Sequence, residues 1–296
     1  MRALLLLALL AAPARAALET GAAFLTIDPS ARSAALGGAY TAAAGMADSA
    51  FFNPAGLAAM TKNQLMAGHA QWLAQTSFDT LALGLPVHGT AFGLTAVRLS
   101  AGSIDARTAD RSSAGSFQAE DAAYGLSMAR SVDGFAFGGT FKLLRSQIAQ
   151  YTAQTEAVDF GLRKQVPGRP LSLGFAVRNL GPGYRFLSQR DPLPLMVSAG
   201  ASYRLGGVLS VAFDVRNEPY DHRTSIAVGT EYAFLGALSL RAGYGGAGFA
   251  KTSGQSPLGG LGAGLGLKVR NFGADYSFTP FGELGDVQRL SLSARF

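Results

Sequence analysis

The sequence predicts a transmembrane antiparallel β-barrel of about 14 strands, preceded by a small-residue-rich, partly helical N-terminal plug. Three observations predict this fold. The chain starts like a secretory signal peptide, most of it alternates apolar and polar residues, and the links between the predicted strands differ in length on the two sides. No stretch beyond the start approaches the ~18 apolar residues of a membrane helix, so strands would have to cross the bilayer.

The first sixteen residues are typical of a signal peptide. Arg2 gives a positive start, residues 3–12 are Ala and Leu throughout, and Ala14-Arg15-Ala16 fits the small-x-small cleavage pattern. The apolar run is too short to span a bilayer as a helix. We therefore expect residues 1–16 to direct the chain into the secretory pathway.

Composition and charge exclude several function classes. The chain has no cysteine, which excludes disulfides, thiolate metal sites and cysteine nucleophiles. The formal charge is +6, and the basic residues are dispersed singly. No basic run is typical of a nucleic-acid surface, so we expect no nucleic-acid partner.

Residues 17–61 are predicted to form a plug rather than membrane strands. Residues 31–59 consist mainly of Ala, Gly and other small residues, and Asp28-Pro29 before Ser30-Ala31 indicates a helix start. Asn53-Pro54 indicates a turn or a second helix entry. Such a small and apolar segment would be poorly solvated in water, whereas the interior of a barrel could hold it.

Residues 62–296 are predicted to form the barrel itself. Period-two alternation and turn residues delimit fourteen strands, most of them near the length that a tilted membrane strand requires. Their approximate ranges are 62–72, 77–87, 90–101, 117–131, 135–146, 154–166, 170–180, 193–205, 208–217, 221–235, 237–245, 258–269, 271–279 and 286–296.

The last strand is predicted to close the barrel. Even positions from Leu290 to Phe296 are apolar, and odd positions from Arg289 to Arg295 are Arg or Ser. A closed sheet has no exposed edge, which a membrane barrel cannot tolerate. We therefore expect 286–296 to pair with 62–72. Glycines alternate with apolar residues at 261–269, where small residues on the inner face would leave room for a plug.

The links between strands predict the orientation of the barrel. The predicted links 102–116, 181–192 and 246–257 are long, whereas those at 132–134, 167–169 and 206–207 are short. Outer-membrane barrels have long extracellular loops and short periplasmic turns. An even strand count places both chain ends on the periplasmic side. These features predict location in the bacterial outer membrane.

Charged residues of both signs fall on the predicted inner face. They could form a polar conduit or bind the plug, but a barrel lumen must be polar in any case, and its charges are expected to pair across it. The predicted lumen charges are Lys142, Asp159, Arg163, Arg178, Asp214, Arg216, Glu231, Arg241, Lys268, Asp275 and Arg289.

Nothing in the sequence favours an enzyme. The three histidines are His69, His88 and His222, and none has a Ser partner or an acidic group at a spacing typical of a catalytic triad. No His and carboxylate cluster has metal-ligand spacing. We expect a non-enzymatic protein without catalytic residues, metal or cofactor.

Several motifs resemble those of the PorV/PorQ family, within the wider FadL-like outer-membrane barrels. Residues 24–40 read FLTIDPSARSAALGGAY, and residues 48–57 read DSAFFNPAGL. The resemblance continues at 177–181, VRNLG, and at 275–285, DYSFTPFGELG. It implies a 14-stranded barrel with a plug, whose motif residues in this chain are Arg32, Gly37, Gly38, Asn53, Pro54 and Gly56.

The resemblance implies two functions and leaves both open. FadL-like relatives move hydrophobic small molecules across the outer membrane, whereas PorV-like relatives bind cargo for the type IX secretion machinery. In either case Arg32 and the turn at 53–56 would fix the plug by contacts with lumen groups such as Asp214 or Asp275. Expected partners are outer-membrane lipids, the barrel-assembly machinery, and either secretion-system components or a hydrophobic ligand. Phe296 would belong to the barrel-assembly signal.

Overall fold

The computed structural model of the protein is a closed antiparallel barrel of 14 strands, which confirms the predicted fold class. It describes residues 19–110, 112–186, 188–234, 236–246 and 260–296. The predicted signal peptide at 1–16 therefore lies outside the described residues. The domain boundaries predicted at 17–61 and 62–296 stay predictions. Among the described residues, no helix is both long enough and apolar enough to cross a bilayer.

Sixteen strands are described, of which β8 and β9 form a separate hairpin and the other fourteen form the barrel. Each barrel strand pairs with its neighbours in sequence, except that β7 pairs with β10 across the inserted hairpin. The strands are β1 Gln64–Gln71, β2 Ser77–Val87, β3 Thr90–Arg107, β4 Ser113–Val132, β5 Phe135–Ile148, β6 Tyr151–Gln165, β7 Leu171–Leu180, β8 Tyr184–Phe186, β9 Gln189–Asp191, β10 Met196–Leu205, β11 Leu209–Glu218, β12 Arg223–Phe234, β13 Leu238–Gly246, β14 Leu261–Val269, β15 Phe272–Pro280 and β16 Asp286–Arg295.

The last strand closes the barrel as predicted. β16 runs antiparallel to β1, with Gln64 opposite Arg295 and Gln71 opposite Gln288. On β16, Arg289 and Ser291 are buried inside, whereas Leu290 and Leu292 are about half exposed on the outside. The same separation of polar and apolar faces recurs around the barrel, and it produces the outward apolar surface that lipid contact requires.

The links between strands differ in length at the two ends of the barrel, but some of the individual lengths differ from the prediction. The long-loop rim holds the link at 181–195 with its β8–β9 hairpin, and the short-turn rim holds tight turns such as 133–134. The long loop predicted at 102–116 is wrong, because β3 and β4 continue through most of it as a hairpin with two bulges. The β5–β6 link is also short, at 149–150. The link predicted at 246–257 lies almost entirely outside the described residues.

The residues before β1, 19–63, are here called the N-terminal segment, and they run inside the barrel. Four short helices punctuate this segment: 3-10 turns at Ala23–Thr26, Ala47–Phe51 and Pro54–Ala59, and α1 at Ala31–Ala35. α1 begins where the sequence predicts, because the Ser30 side chain caps it by accepting a hydrogen bond from the Ser33 N–H. Asn53 caps the turn that begins at Pro54 by accepting from the Ala55 N–H.

Candidate functional site

The N-terminal segment contacts the inner wall of the barrel through close backbone approach. Wall glycines make this approach possible, because a Cβ added at Gly174 would overlap Thr41, and one added at Gly243 would overlap Leu36. A Cβ built at Gly264 would lie 2.5 Å from the Ala35 Cβ, and one built at Gly262 would overlap the Ala34 oxygen. Two of the alternating glycines of β14 therefore lie against α1 of the segment.

Asp214 on β11 holds the middle of the segment. Its Oδ2 accepts hydrogen bonds from the backbone N–H groups of Tyr40 at 2.9 Å and Thr41 at 2.8 Å. The residue is 1% exposed, and these two bonds replace the hydration of Oδ2, whereas Oδ1 is buried without a hydrogen-bond partner among the described residues. A lumen charge predicted from sequence thus binds segment backbone rather than an opposite charge.

A chain of four charges links the segment to β12, β13 and β15. Arg32 donates to both oxygens of Glu231 at 2.8 and 2.9 Å, and Glu231 also pairs with Arg241. Arg241 in turn pairs with Asp275 at 2.6 Å. The partner of Arg32 is therefore Glu231, not Asp214 or Asp275. The alternating signs compensate one another, which is the condition for keeping charges in a largely buried place.

Inner-face arginines hold three further points of the segment by donating to its carbonyls. Arg163 donates to the Ala42 oxygen at 3.1 Å, Arg178 donates to the Phe51 oxygen at 2.7 Å, and Arg216 donates to the Gly38 oxygen. These carbonyls lie in turns or at the end of the 3-10 turn Ala47–Phe51, where no regular backbone partner is available, so they need such donors when they are buried.

Asn53 joins the segment both to itself and to the wall. Its Nδ2 donates to the Thr41 oxygen at 2.8 Å and to the Leu162 oxygen on β6 at 3.1 Å. The residue is fully buried, and its amide uses most of its hydrogen-bonding capacity. Pro54 begins the following turn, and Gly56 packs where a Cβ would overlap Ala43.

Two predicted residues have positions apart from this contact network. Lys268 is exposed at the short-turn rim and makes no ion pair with the described residues. Phe296 is 63% exposed, and its N–H donates to the Asn63 oxygen at 3.0 Å. By contrast, Gly37 and Gly38 have φ values of 63° and 80°, which glycine adopts readily. They turn the segment after α1 against β11 and β13.

Strands β5, β6 and β7 carry a polar hub whose members Lys142 and Asp159 are predicted lumen charges, although their pairing was not predicted. Lys142 pairs with Asp159 at 2.6 Å, and Asp159 accepts from the Asn179 N–H at 2.8 Å. Asn179 also accepts from Lys142 and donates to the Pro194 oxygen, which fixes the end of the loop between β7 and β10. The VRNLG motif at 177–181 was the available signal, since it contains both Arg178 and Asn179.

Inside the segment, Tyr40, Asp48 and Arg32 form a second polar group. The Tyr40 hydroxyl donates to Asp48 at 3.1 Å, and the Tyr40 ring packs on Phe52 with centroids 4.9 Å apart. Burial raises the pKa of the Asp48 carboxyl, and Arg32 opposes that rise. No cluster of three or more potential metal ligands occurs among the described residues.

A small apolar cavity lies between the segment and the wall, on the side of the long-loop rim; we call it the loop-side cavity. Its volume is about 40 Å³. Apolar residues of both parts line it, and Lys142 and Arg178 reach its polar end. The apolar lining comprises Phe24, Leu25, Ile27, Pro29, Phe51, Phe78, Val97 and Ala123.

Comparison with solved structures finds similar barrels among outer-membrane channels. The chain is similar to the toluene transporter TbuX of Ralstonia pickettii, with a TM-score of 0.65, 14% identity, and 92% and 100% of the two chains covered. It is similar to the CymD monoaromatic hydrocarbon channel, with a TM-score of 0.63, 14% identity and coverage of 89% and 96%. It is also similar to a FadL homologue of Pseudomonas aeruginosa, with a TM-score of 0.61, 14% identity and coverage of 90% of this chain and 98% of the homologue. At this identity the likeness establishes the fold.

Sequence comparison gives a family. No curated protein matches the sequence. Residues 15–163 match the model of an uncharacterised protein family, UPF0164, and this match includes the N-terminal segment and the strands from β1 almost to the end of β6. Since it covers just over half of the sequence, the chain belongs to the uncharacterised protein family UPF0164.

Proposed function

We propose that this chain is a bacterial outer-membrane channel for small hydrophobic molecules, with the N-terminal segment as its plug. The observation that supports it most is the loop-side cavity, which is apolar although it lies inside a lumen full of charges. A lumen that only had to hold water would not need an apolar cavity. The named solved relatives that carry hydrocarbons have the same fold, which agrees with this proposal.

Ligand entry would require movement of the first turn of the segment. The cavity of about 40 Å³ is smaller than the ~150 Å³ that an engineered apolar cavity offers to benzene. Phe24 and Leu25 belong to the short turn Ala23–Thr26, which has few backbone hydrogen bonds of its own. Displacement of this turn would enlarge the cavity, while the contacts of Asp214 and Glu231 keep the rest of the segment in place.

The small volume of the cavity, about 40 Å³, favours a small ligand. The charges at the cavity do not exclude a carboxylate, because Lys142 pairs with Asp159 but Arg178 donates to a neutral group, the Phe51 oxygen. We therefore expect toluene to bind more tightly than a long-chain fatty acid on the ground of size.

The single tryptophan gives a direct binding assay. Trp72 lies 6.4 Å from Phe78, ring centroid to centroid, and Phe78 lines the cavity. We expect toluene to change Trp72 fluorescence saturably in purified protein, and Ala123→Leu, which fills the cavity, to abolish the change. The matched control is Ala96→Leu on the outer face of β3. The proposal fails if neither toluene nor palmitate gives a saturable change in the wild-type protein.

A second candidate is a surface adaptor of the PorV type for secreted proteins. It is supported by the tip of the β3–β4 hairpin, where the described residues 103–110 and 112–117 lie beyond the last pairing with β2 at Ser100 and with β5 at Ala119. Most of this hairpin is exposed, so it offers a surface for a partner. Crosslinking in cells followed by pull-down tests this candidate. Recovery of secretion components would favour the adaptor, and recovery of none would exclude it.

A further inference from the structure

The short-turn rim of the barrel is strongly basic. Among the described residues, it has a single acidic side chain, Asp133, and eight basic ones, here called the basic collar. None of the eight forms an ion pair with a described residue. Such a ring of uncompensated cations raises the concentration of anions at this mouth of the lumen. The basic collar consists of Lys62, Arg130, Lys164, Arg169, Arg204, Lys268, Arg270 and Arg295.

Inside this mouth of the lumen lies a polar cavity, here called the mouth cavity, with a volume of about 160 Å³. Residues of two short turns, Ala237 and Asn271, and the last residue of β16, Arg295, line it. Its charged side chains lie on the inner face of the wall, so the wall separates them from the bilayer. The mouth cavity is therefore at the opposite end of the lumen from the loop-side cavity.

Wall glycines that the N-terminal segment does not fill leave room for the mouth cavity. The first two inner-face glycines of β14 lie against α1. A Cβ built at the next one, Gly266, would instead meet the side chains of Asp275 and Arg241. One built at Gly273 on β15 would meet Ser293, which also belongs to the wall. Because both glycines line the mouth cavity, their missing side chains leave space that a small molecule can occupy.

The charges of the mouth cavity do not balance. Its inner part is lined by the chain of four charges described above, which begins at Arg32 and is neutral as a whole. Its outer part adds the collar residues Lys268 and Arg295, whose charges no described carboxylate neutralises. The mouth cavity therefore has a surplus of two positive charges.

Hydrogen-bond donors accompany this surplus of charge. Arg241 is 9% exposed, and its Nε donates to Glu231 while its Nη1 donates to Asp275. This leaves its Nη2 without an acceptor among the described residues. The hydroxyl-bearing residues Ser239 and Ser293 also line the mouth cavity. Positive charge together with donors is the environment that binds oxyanions.

We propose that the mouth cavity binds the phosphate group of a soluble solute, with Lys268, Arg295 and Arg241 as its cationic donors. At pH 7 a phosphate group carries about −1.5 to −2 charges and three acceptor oxygens, which would neutralise the surplus, whereas a carboxylate carries a single charge. A phospholipid headgroup does not fit, because its acyl chains would have to leave the bilayer for the lumen. The proposal does not depend on the hydrophobic channel proposed above.

Phosphate binding would be coupled to docking of the N-terminal segment. Arg32 belongs to the segment and donates to both oxygens of Glu231. Undocking would remove the charge of Arg32, and the surplus in the mouth cavity would fall from two to one. The docked form therefore binds phosphate more tightly, and by reciprocity phosphate stabilises the docked segment.

Isothermal titration calorimetry with inorganic phosphate at pH 7 tests the site on the full chain in phosphatidylcholine nanodiscs. We expect saturable binding of one phosphate per chain. Lys268→Gln with Arg295→Gln should weaken binding about tenfold, since partly exposed charges contribute a few-fold each. Arg169→Gln with Arg204→Gln removes the same charge from the basic collar outside the mouth cavity and should leave binding nearly unchanged.

Two further measurements test the space and the coupling. Ser239→Leu should fill the mouth cavity and weaken phosphate binding, whereas Ser202→Leu, inward on β10 but outside the cavity, should not. In hydrogen exchange, saturating phosphate should slow exchange of residues 30–36 about fivefold in the wild type, and not in Lys268→Gln with Arg295→Gln. Faster exchange with phosphate would overturn the coupling.

Three results would overturn the proposed site. The first is the absence of saturable phosphate binding by the wild type. The second is an equal loss in both charge variants, because the basic collar would then act only as a diffuse field. The third is loss of phosphate binding in nanodiscs that contain phosphatidylglycerol, with enough salt to screen the membrane charge, because a lipid headgroup would then be the occupant.

Discussion

Replacement of Asp214 by Ala should release the middle of the N-terminal segment from the barrel wall. The carboxylate accepts two backbone N–H groups, from Tyr40 and Thr41, in a place that is 1% exposed. Hydrogen bonds to charged groups contribute about 1.5–3 kcal/mol each. Taking the lower value for both, the variant loses about 3 kcal/mol of the free energy that keeps this part of the segment docked.

Hydrogen exchange measures this loss directly. A change of about 3 kcal/mol corresponds to opening that is roughly 100-fold more frequent, so peptides covering residues 36–45 should exchange about 100-fold faster. Asp214→Asn keeps one good acceptor and should give an intermediate rate. Peptides from β16, far from the substitution in the barrel wall, should exchange as in the wild type.

The matched control is Asp79→Ala, because Asp79 is an exposed carboxylate on the same barrel, with 44% of its side chain accessible. It should leave exchange of residues 36–45 unchanged. Wild-type protection of that peptide in Asp214→Ala would refute the reasoning, since it would mean that the two hydrogen bonds do not hold the segment.

Three further variants test the contacts of the N-terminal segment and the role of the C-terminal residue. Gly243→Val should force the N-terminal segment away from β13, at a cost of about 1–3 kcal/mol from overpacking, and make the segment sensitive to protease; Ala242→Val, which faces outward, should not. Arg32→Ala combined with Asn53→Ala should raise both small-molecule permeability and protease cleavage of the segment; if neither changes, these residues do not fix a plug. Deletion of Phe296 should lower the amount of heat-modifiable barrel in the outer membrane, and unchanged amounts would exclude a role in assembly.

The number of strands and the closure of the barrel could be predicted from the sequence because the outer face of the wall requires apolar residues and the inner face accepts polar ones. Period-two alternation on β16 and β11 separates lipid-facing from lumen-facing residues, and that pattern is local. The hairpin of β3 and β4 was missed for the same reason. Beyond Ser100 it no longer pairs with β2, its residues show no period-two alternation, and its Ser and Gly residues are typical of a loop.

The partners inside the lumen could not be predicted, because they depend on contacts between residues far apart in sequence. Arg32 and Glu231 are 199 positions apart, and only the folded segment decides that Glu231 rather than Asp275 receives the guanidinium. Lys268 occupies an inward-facing position of β14, but it lies at the end of the barrel, where the lumen opens. Its position along the barrel axis, not its face, determines its environment.

A disulfide between the segment and the wall tests the central claim, that the N-terminal segment is docked inside the barrel. The chain has no native cysteine, so Ala47→Cys with Gly84→Cys introduces a single possible pair. The Cβ of Ala47 lies 3.4 Å from a Cβ built at Gly84, near the separation that a disulfide requires. Only the flexible thioether end of Met60 would have to move.

The measurement is the mobility of the boiled, unreduced protein after mild oxidation in outer-membrane fractions. We expect nearly complete crosslinking of Ala47→Cys with Gly84→Cys, seen as faster migration that a reductant reverses, and none for the mismatched pair Ala35→Cys with Gly84→Cys. Absence of the crosslink in a barrel that is folded and heat-modifiable would contradict the account, because the segment would then lie outside the lumen.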